Sequence, residues 1–213
     1  YKFIYPSKKL LNITNTKSIK KLLIKEKPQS VLHLAGLSRP MSVHEKDITK
    51  SINLNIIGTA NLVKVCSELK IKLIYFSTSY VYPGRKGNYT EKDPVLPWNN
   101  YAWSKLGGES SVQMYKNSLI LRVCMTERPF VHKQAFANVK LNFIFHDEMT
   151  KFLVKLLEKK GIINVGGPAK TIEDFAKKYN KKVKKIYIKK NSSYGYPLKS
   201  FMNLSKLKKI INR

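Results

Sequence analysis

Tyr101 and Lys105 lie four residues apart in the run Tyr101-Ala102-Trp103-Ser104-Lys105, the spacing that brings two side chains onto one face of a helix. A phenol with an unperturbed pKa of about 10 is a weak acid-base group at neutral pH. A neighbouring ammonium favours its ionised form, and a fall of about 3 units requires about 4 kcal/mol of differential stabilisation. The pair therefore has the chemistry of a proton donor and its tuner. The same spacing also occurs on exposed faces of lysine-rich helices, so its meaning depends on what lies upstream.

The strands and helices around the pair can be read from pattern. Residues 2–5 read as a short strand. Asn15 or Thr16 caps a helix to about residue 26, with Ile19, Leu22 and Leu23 at helical spacing and Pro28 ending it. Residues 30–36, Ser-Val-Leu-His-Leu-Ala-Gly, read as a buried strand running into a glycine turn. A polar loop over 36–50 carries Arg39, Pro40 and His44, and a helix over 47–69 carries Asn53, Asn55, Gly58 and Asn61. Residues 72–77 form a second apolar strand ending at Thr78. A long Pro-, Gly- and Asn-rich loop over 83–99 follows, and a loop of that length beside a strand end is usually functional. The Tyr101 helix runs to about residue 116 and a third strand covers 119–123. Beyond residue 125 the pattern loosens into a short strand at 143–145, a helix at 146–159 and a strand at 162–165. A helix capped by Thr171 with Asp174 as partner comes next, then a strand at 185–188 and a helix at 204–211. Strands alternating with helices predict βαβ units and a parallel sheet. The expected division is 1–125 for the sheet domain and 126–213 for a small lobe interleaved with it.

Composition bounds the function. The 213 residues carry 41 Lys+Arg against 13 Asp+Glu, a net charge of +28, and are 43% hydrophobic, enough for a packed core. Lysines are scattered in pairs along the whole chain and arginine is scarce. This reads first as compositional bias, next as a field that favours an anionic ligand at the active site, and last as a basic nucleic-acid binder with steep salt dependence. No run is long and apolar enough for a membrane span, and the first residues lack a small-residue cleavage site. Cys66 and Cys124 lie in apolar surroundings without metal-ligand spacing and read as reduced core thiols of a cytoplasmic protein.

In an open parallel sheet, ligands bind at the carboxyl ends of the strands. The ends at Ala35-Gly36, Ser77-Thr78 and Arg122-Val123 can converge with the start of the Tyr101 helix. A hydroxyl, a phenol and an ammonium around a carbonyl would polarise it and deliver a proton while a nicotinamide delivers hydride.

With these residues in place the chain resembles the extended short-chain dehydrogenase/reductase family, in its sugar-nucleotide epimerase/dehydratase group. The resemblance is carried by His33-Leu34-Ala35-Gly36, Asn55-Ile56-Ile57-Gly58-Thr59, Ser77-Thr78-Ser79-Tyr80-Val81-Tyr82 and the Tyr101/Lys105 pair. Within the group it is most similar to the dTDP-4-dehydrorhamnose reductases, through the Thr78 run and the stretch from Tyr196 to Leu207. The resemblance implies a Rossmann-like parallel sheet and a cofactor of NADPH or NADH. It implies reduction of a nucleotide-linked 4-keto-deoxysugar for surface polysaccharide. Tyr101 would protonate the sugar 4-oxygen and Thr78 would hydrogen-bond it. Lys105 would bind the nicotinamide ribose and lower the Tyr101 pKa. Ala35 and Gly36 would lie against the cofactor, Asn12 and Ile13 near its adenine, and Asn55 would support the active-site backbone and Lys105. His33 reads as a hydrogen-bonded core histidine. The resemblance also raises a homodimer through the helices carrying Asn55–Gly58 and Tyr101–Lys105.

Departures from the family pattern keep alternatives open. No Gly-x-x-Gly-x-x-Gly turn occurs in these residues, so the sheet is expected to be N-terminally incomplete, without the first βαβ and its pyrophosphate cradle. Tyr196 stands where the family has arginine, with loss of a bidentate contact to an anionic substrate. Ser79-Tyr80 follow Thr78 where dehydratases have acidic residues, which argues against dehydration. A sugar-nucleotide epimerase of the same fold and a non-catalytic regulatory relative are the other readings.

Overall fold

The computed structural model describes residues 2–188 and 197–212. The first element is helix α1 (Thr16–Glu26), whose N-cap Asn15 accepts a hydrogen bond from Ser18 N at 3.0 Å. Strand β1 (Ser30–His33) follows, then two short helices, α2 (Ser42–Lys46) and α3 (Ile48–Ser51). A π-helical segment, Ile52–Ile57, runs directly into α4 (Gly58–Glu68). Next come β2 (Lys72–Thr78), α5 (Asn100–Gln113) and β3 (Ser118–Val123). The second half of the chain holds the short strands β4 (Met125–Thr126), β5 (Gln134–Phe136), β6 (Lys140–Leu141) and β7 (Ile144–Phe145), then α6 (His146–Leu156) and β8 (Gly161–Val165). It ends with β9 (Lys170–Thr171), α7 (Ile172–Lys177), β10 (Lys184–Ile186) and α8 (Ser205–Ile211).

The central sheet is α/β and wholly parallel, with strand order β1-β2-β3-β8. Alternation along the strands sends side chains to two faces. Leu73, Tyr75 and Ile120 pack with Ile19, Leu23, Leu62 and Val112, under α1, α4 and α5. Ile74, Phe76, Leu121 and Ile163 pack with Met149, Leu156 and Leu207, under α6 and α8. A third cluster, around Tyr82, Tyr89, Phe145 and Phe175, fills the lobe. There β4 pairs with β7, β5 with β10 and β6 with β9. The later half is thus shared: β8, α6 and α8 complete the sheet layer and the remaining short strands and α7 form the lobe.

Three expectations change. Residues 2–5 form no strand: Phe3, Ile4 and Tyr5 are exposed and pair with none of the described strands, and a strand needs a ladder partner to satisfy its backbone. The helix expected over 47–69 runs continuously from Ile48 to Glu68 but is not regular: its middle, Ile52–Ile57, which carries Asn55, is π-helical. The loop expected over 36–50 contains α2, with His44 fully buried. Tyr196 lies outside the described residues. Cys66 and Cys124 are unpaired, and burial pushes their thiols up to about 12 and about 11. Among the described residues no helix is long and apolar enough to cross a membrane.

Candidate functional site

Strand β2 delivers Thr78 to its carboxyl end, and the chain turns at once, with the Thr78 hydroxyl accepting from Tyr80 N at 3.3 Å. Helix α5 begins at a capped N-terminus, where Asn99 accepts from Ala102 N at 2.8 Å. This places Tyr101 in the first turn of α5, and α5 packs on β2. The Thr78 hydroxyl faces the Tyr101 phenol, and its hydrogen bond favours the ionised phenol. Burial outweighs it, so the Tyr101 pKa lies above the usual tyrosine value, with Arg39 also opposing the rise. Two rings wall the phenol: His44 at 5.2 Å between centroids and Tyr80 at 6.4 Å, both edge-on.

Lys105 is buried one turn further along α5, at 9% exposure. Its ammonium sits 4.2 Å over the Tyr75 ring, and burial pushes its pKa down to about 7, with Glu109 opposing the fall. The sequence expectation that Lys105 lowers the Tyr101 pKa is not what this arrangement gives. Lys105 stands over Tyr75, and the Tyr101 phenol is raised by its own burial.

Asn55 ties the site together from the π-helical segment. Its Oδ1 accepts from Leu37 N at 2.7 Å, and its Nδ2 donates to Leu37 O and to Ser104 Oγ, each at 2.8 Å. Ser104 in turn donates to Tyr101 O at 2.7 Å. One carboxamide thus fixes the turn after β1 to the turn of α5 between Tyr101 and Lys105. Gly36 makes this possible: its φ is +151°, and a Cβ there would lie 2.7 Å from Asn55 Oδ1. Ala35 and Gly36 are exposed just beyond the end of β1.

Asn12 and Ile13 stand apart from this group. Asn12 Oδ1 accepts from Thr14 N at 3.1 Å and from Thr14 Oγ1 at 2.9 Å. Ile13 is buried against Gly58, and its carbonyl accepts from Asn61 Nδ2 at 3.1 Å. Their contacts belong to the junction of α1 and α4, not to Tyr101, Lys105 or Thr78.

His33 is a buried core histidine. Thr59 Oγ1 donates to Asn55 O at 2.7 Å, so the 2.9 Å contact between His33 Nε2 and Thr59 Oγ1 has the imidazole as donor. Its Nδ1 is left without a partner. Burial, reinforced by Lys105, pushes its pKa down to about 3. His44 was unmarked in a polar stretch, yet its Nδ1 bonds Ser51 Oγ at 2.7 Å while its ring meets Tyr101. Arg122, read from the sequence only as part of a strand end, forms a buried ion pair at 2.6 Å with Glu109, which carried no mark in the sequence. The one available signal was a charged residue on the apolar strand 118–123.

The residues fit the nicotinamide-ribose half of a dinucleotide: an exposed Gly36 at a strand end, Tyr101 and Lys105 in line on α5, and Thr78 opposite. They offer no glycine-rich cradle for a pyrophosphate. Among the described residues no group of three or more His, Cys, Asp or Glu side chains could hold a metal ion.

Comparison with known proteins agrees with this architecture. Residues 1–139 match the family described as the RmlD substrate binding domain. Methionine adenosyltransferase 2 subunit beta from Xenopus laevis is 34% identical over 119 residues, which is 55% of this chain and 35% of that protein. The chain therefore spans about a third of the length of the curated relatives it matches. A hypothetical dTDP-4-dehydrorhamnose reductase from Sulfolobus tokodaii superposes with TM-score 0.81 at 25% identity, covering 94% of this chain and 80% of that one. The dTDP-4-dehydrorhamnose reductase from Bacillus anthracis in complex with NADP superposes with TM-score 0.83 at 23% identity, covering 96% and 82%. The chain belongs to the RmlD substrate-binding-domain family, on a Rossmann-like sheet of the short-chain dehydrogenase/reductase type.

Proposed function

We propose that this chain carries the reducing half of a site that acts on a nucleotide-linked 4-keto-deoxysugar with NADPH or NADH, as in the dTDP-4-dehydrorhamnose reductases it resembles. The observation that carries the reading is the Thr78–Tyr101 hydroxyl pair at the carboxyl end of β2, with Lys105 one turn beyond. Reduction of a ketone needs a proton donor at the carbonyl oxygen. Burial keeps the Tyr101 phenol protonated at neutral pH, so Tyr101 can donate that proton while Thr78 hydrogen-bonds the same oxygen. When bound, a reduced nicotinamide would supply the hydride. Lys105 and the exposed turn at Ala35-Gly36 would hold its ribose end. Asn12 and Ile13 would reach adenine only through atoms free of their α1–α4 contacts. A cytoplasmic setting and a homodimer belong to the same proposal.

The test is NADPH and NADH oxidation by the purified chain with a panel of 4-keto sugar nucleotides. Tyr101→Phe should lower turnover by about 100- to 10,000-fold, the usual contribution of a positioned acid, with the fold intact by circular dichroism. A second reading, a non-catalytic binding or regulatory subunit, draws support from the 34% identity to a protein named as a subunit beta. Saturable nucleotide binding without turnover in any substrate, unaffected by Tyr101→Phe, would favour it over reduction.

A further inference from the structure

We propose that Glu109 is a positioning residue for the Tyr101–Lys105 pair: from the junction of α5, the sheet and the lobe, its carboxylate holds α5 in place on β2 and supplies the negative charge one turn beyond Lys105. The proposal rests on the reading of Tyr101 and Lys105 as the working pair.

The geometry begins in the sheet. Ser77 pairs in register with Arg122 of β3, and Arg122 with Asn164 of β8. All three are buried, and they form one polar row across three strands, at the level just before Thr78 leaves β2. Glu109 of α5 is fully buried above that row. Ser77 Oγ donates to its Oε2 at 2.6 Å, and Arg122 donates to its Oε1 through Nη2 at 2.6 Å and Nε at 3.1 Å. The other side of the guanidinium faces the lobe: Nη1 donates to Tyr82 Oη at 2.8 Å, and Tyr82 Oη donates to Asn164 Oδ1 at 2.8 Å. Tyr82 stacks on Tyr89 at 4.9 Å and 14°, and Asn164 Nδ2 donates to Tyr89 O at 2.9 Å. A continuous chain of side chains thus connects the lobe to the catalytic face of α5.

Glu109 also lies four residues after Lys105, on the same face of the helix. The groups around the Lys105 ammonium are the Tyr75 ring from β2, His33 from β1 and, on α5, Glu109. Glu109 is the anionic member of that set. Burial depresses Lys105 and Glu109 is the opposing influence. Arg122 and Ser77 anchor the carboxylate, so its charge cannot swing away from Lys105 as an exposed i,i+4 partner would.

The measurement is the pH titration of the Lys105 Cε or Nζ resonance, assigned by its loss in Lys105→Arg, in wild type, Glu109→Gln and Glu109→Asp. No substrate or cofactor is present, so the result stands apart from whether the chain reduces anything. Glu109→Gln should lower the Lys105 midpoint by about 1 to 3 units, the usual effect of a close opposite charge. Glu109→Asp, which keeps the charge but withdraws it by one methylene, should fall between. If Glu109→Gln does not fold, the downward displacement in Glu109→Asp carries the test. A Lys105 midpoint unmoved in whichever of these variants folds would overturn the proposal and leave Glu109 a packing residue of the core.

Discussion

Tyr101 is half-buried and Lys105 is buried, and loss of solvent sets the pH behaviour of each. The Tyr101 phenol is raised by burial against the pull of Thr78 and Arg39, which suits an acid and not a base. Lys105 is pushed down to about 7, below the lysine value of about 10.4 expected in the unfolded chain. Between those values the unfolded chain binds a proton that the folded chain has released. Stability from this residue therefore rises with pH across that window, by up to about 1.4 kcal/mol per unit, and below it the full cost of burying the ammonium is present. The raised tyrosines, Tyr75 and Tyr101, act in the opposite sense only at and above the tyrosine value near 10. Urea denaturation between pH 7 and about 8 should show the rise in wild type and lose it in Lys105→Met; above the free thiol value near 8.5 the raised thiols of Cys66 and Cys124 act in the opposite sense. A flat wild-type profile would mean that Lys105 is not buried as described.

At the scale of elements, the site depends on how closely α5 approaches the π-helical segment. Gly108 marks the contact: a Cβ there would lie 2.5 Å from Asn55 O and 2.8 Å from Tyr75 Oη. Alanine is the better helix former by about 1 kcal/mol, yet overpacking against a backbone carbonyl costs about 1–3 kcal/mol. Gly108→Ala should therefore destabilise the fold, and it should also loosen Asn55 from Leu37 and Ser104. Thermal denaturation together with amide exchange at Leu37 would read both effects. The buried Arg122–Glu109 pair makes a second prediction. Arg122→Met, which strands the carboxylate, should cost about 3–5 kcal/mol, and the double change Glu109→Leu/Arg122→Met should recover much of it. Chemical denaturation of the three proteins decides the point; equal losses in the single and double variants would show that the pair contributes through shape alone.

For the whole molecule, charge dominates. A net charge of +28 on 213 residues opposes the compact state through self-repulsion. Surface pairs such as Lys20–Glu68 at 2.9 Å and Arg39–Glu127 at 2.8 Å are exposed at both ends and offset little of it. Screening should help: the midpoint of thermal unfolding should rise between about 0.01 M and 0.15 M salt, where the Debye length falls from about 30 Å to about 8 Å. Calorimetry at the two ionic strengths checks this. A midpoint that falls with salt would mean that surface attraction outweighs repulsion.

The features legible in the amino-acid order are local. The strand–helix alternation predicted a parallel sheet because apolar period and breakers are properties of adjacent residues, and β1, β2, β3 and β8 fall where the pattern placed them. The Asn15 and Thr171 caps were equally legible, since a cap is read within one turn. Tyr101, Lys105 and Thr78 were visible as types at a spacing. Their surroundings came from the packing of distant segments. His44 came from a polar stretch to pack against Tyr101, and Asn55 reached both Leu37 and Ser104 from within the π-helical segment. Lys105 came to lie over the Tyr75 ring. The row from Ser77 through Arg122 to Asn164 exists only when three strands lie side by side in one register. Those partners are separated by 42 to 87 positions in the chain, and no local pattern can report a contact that strand pairing alone creates.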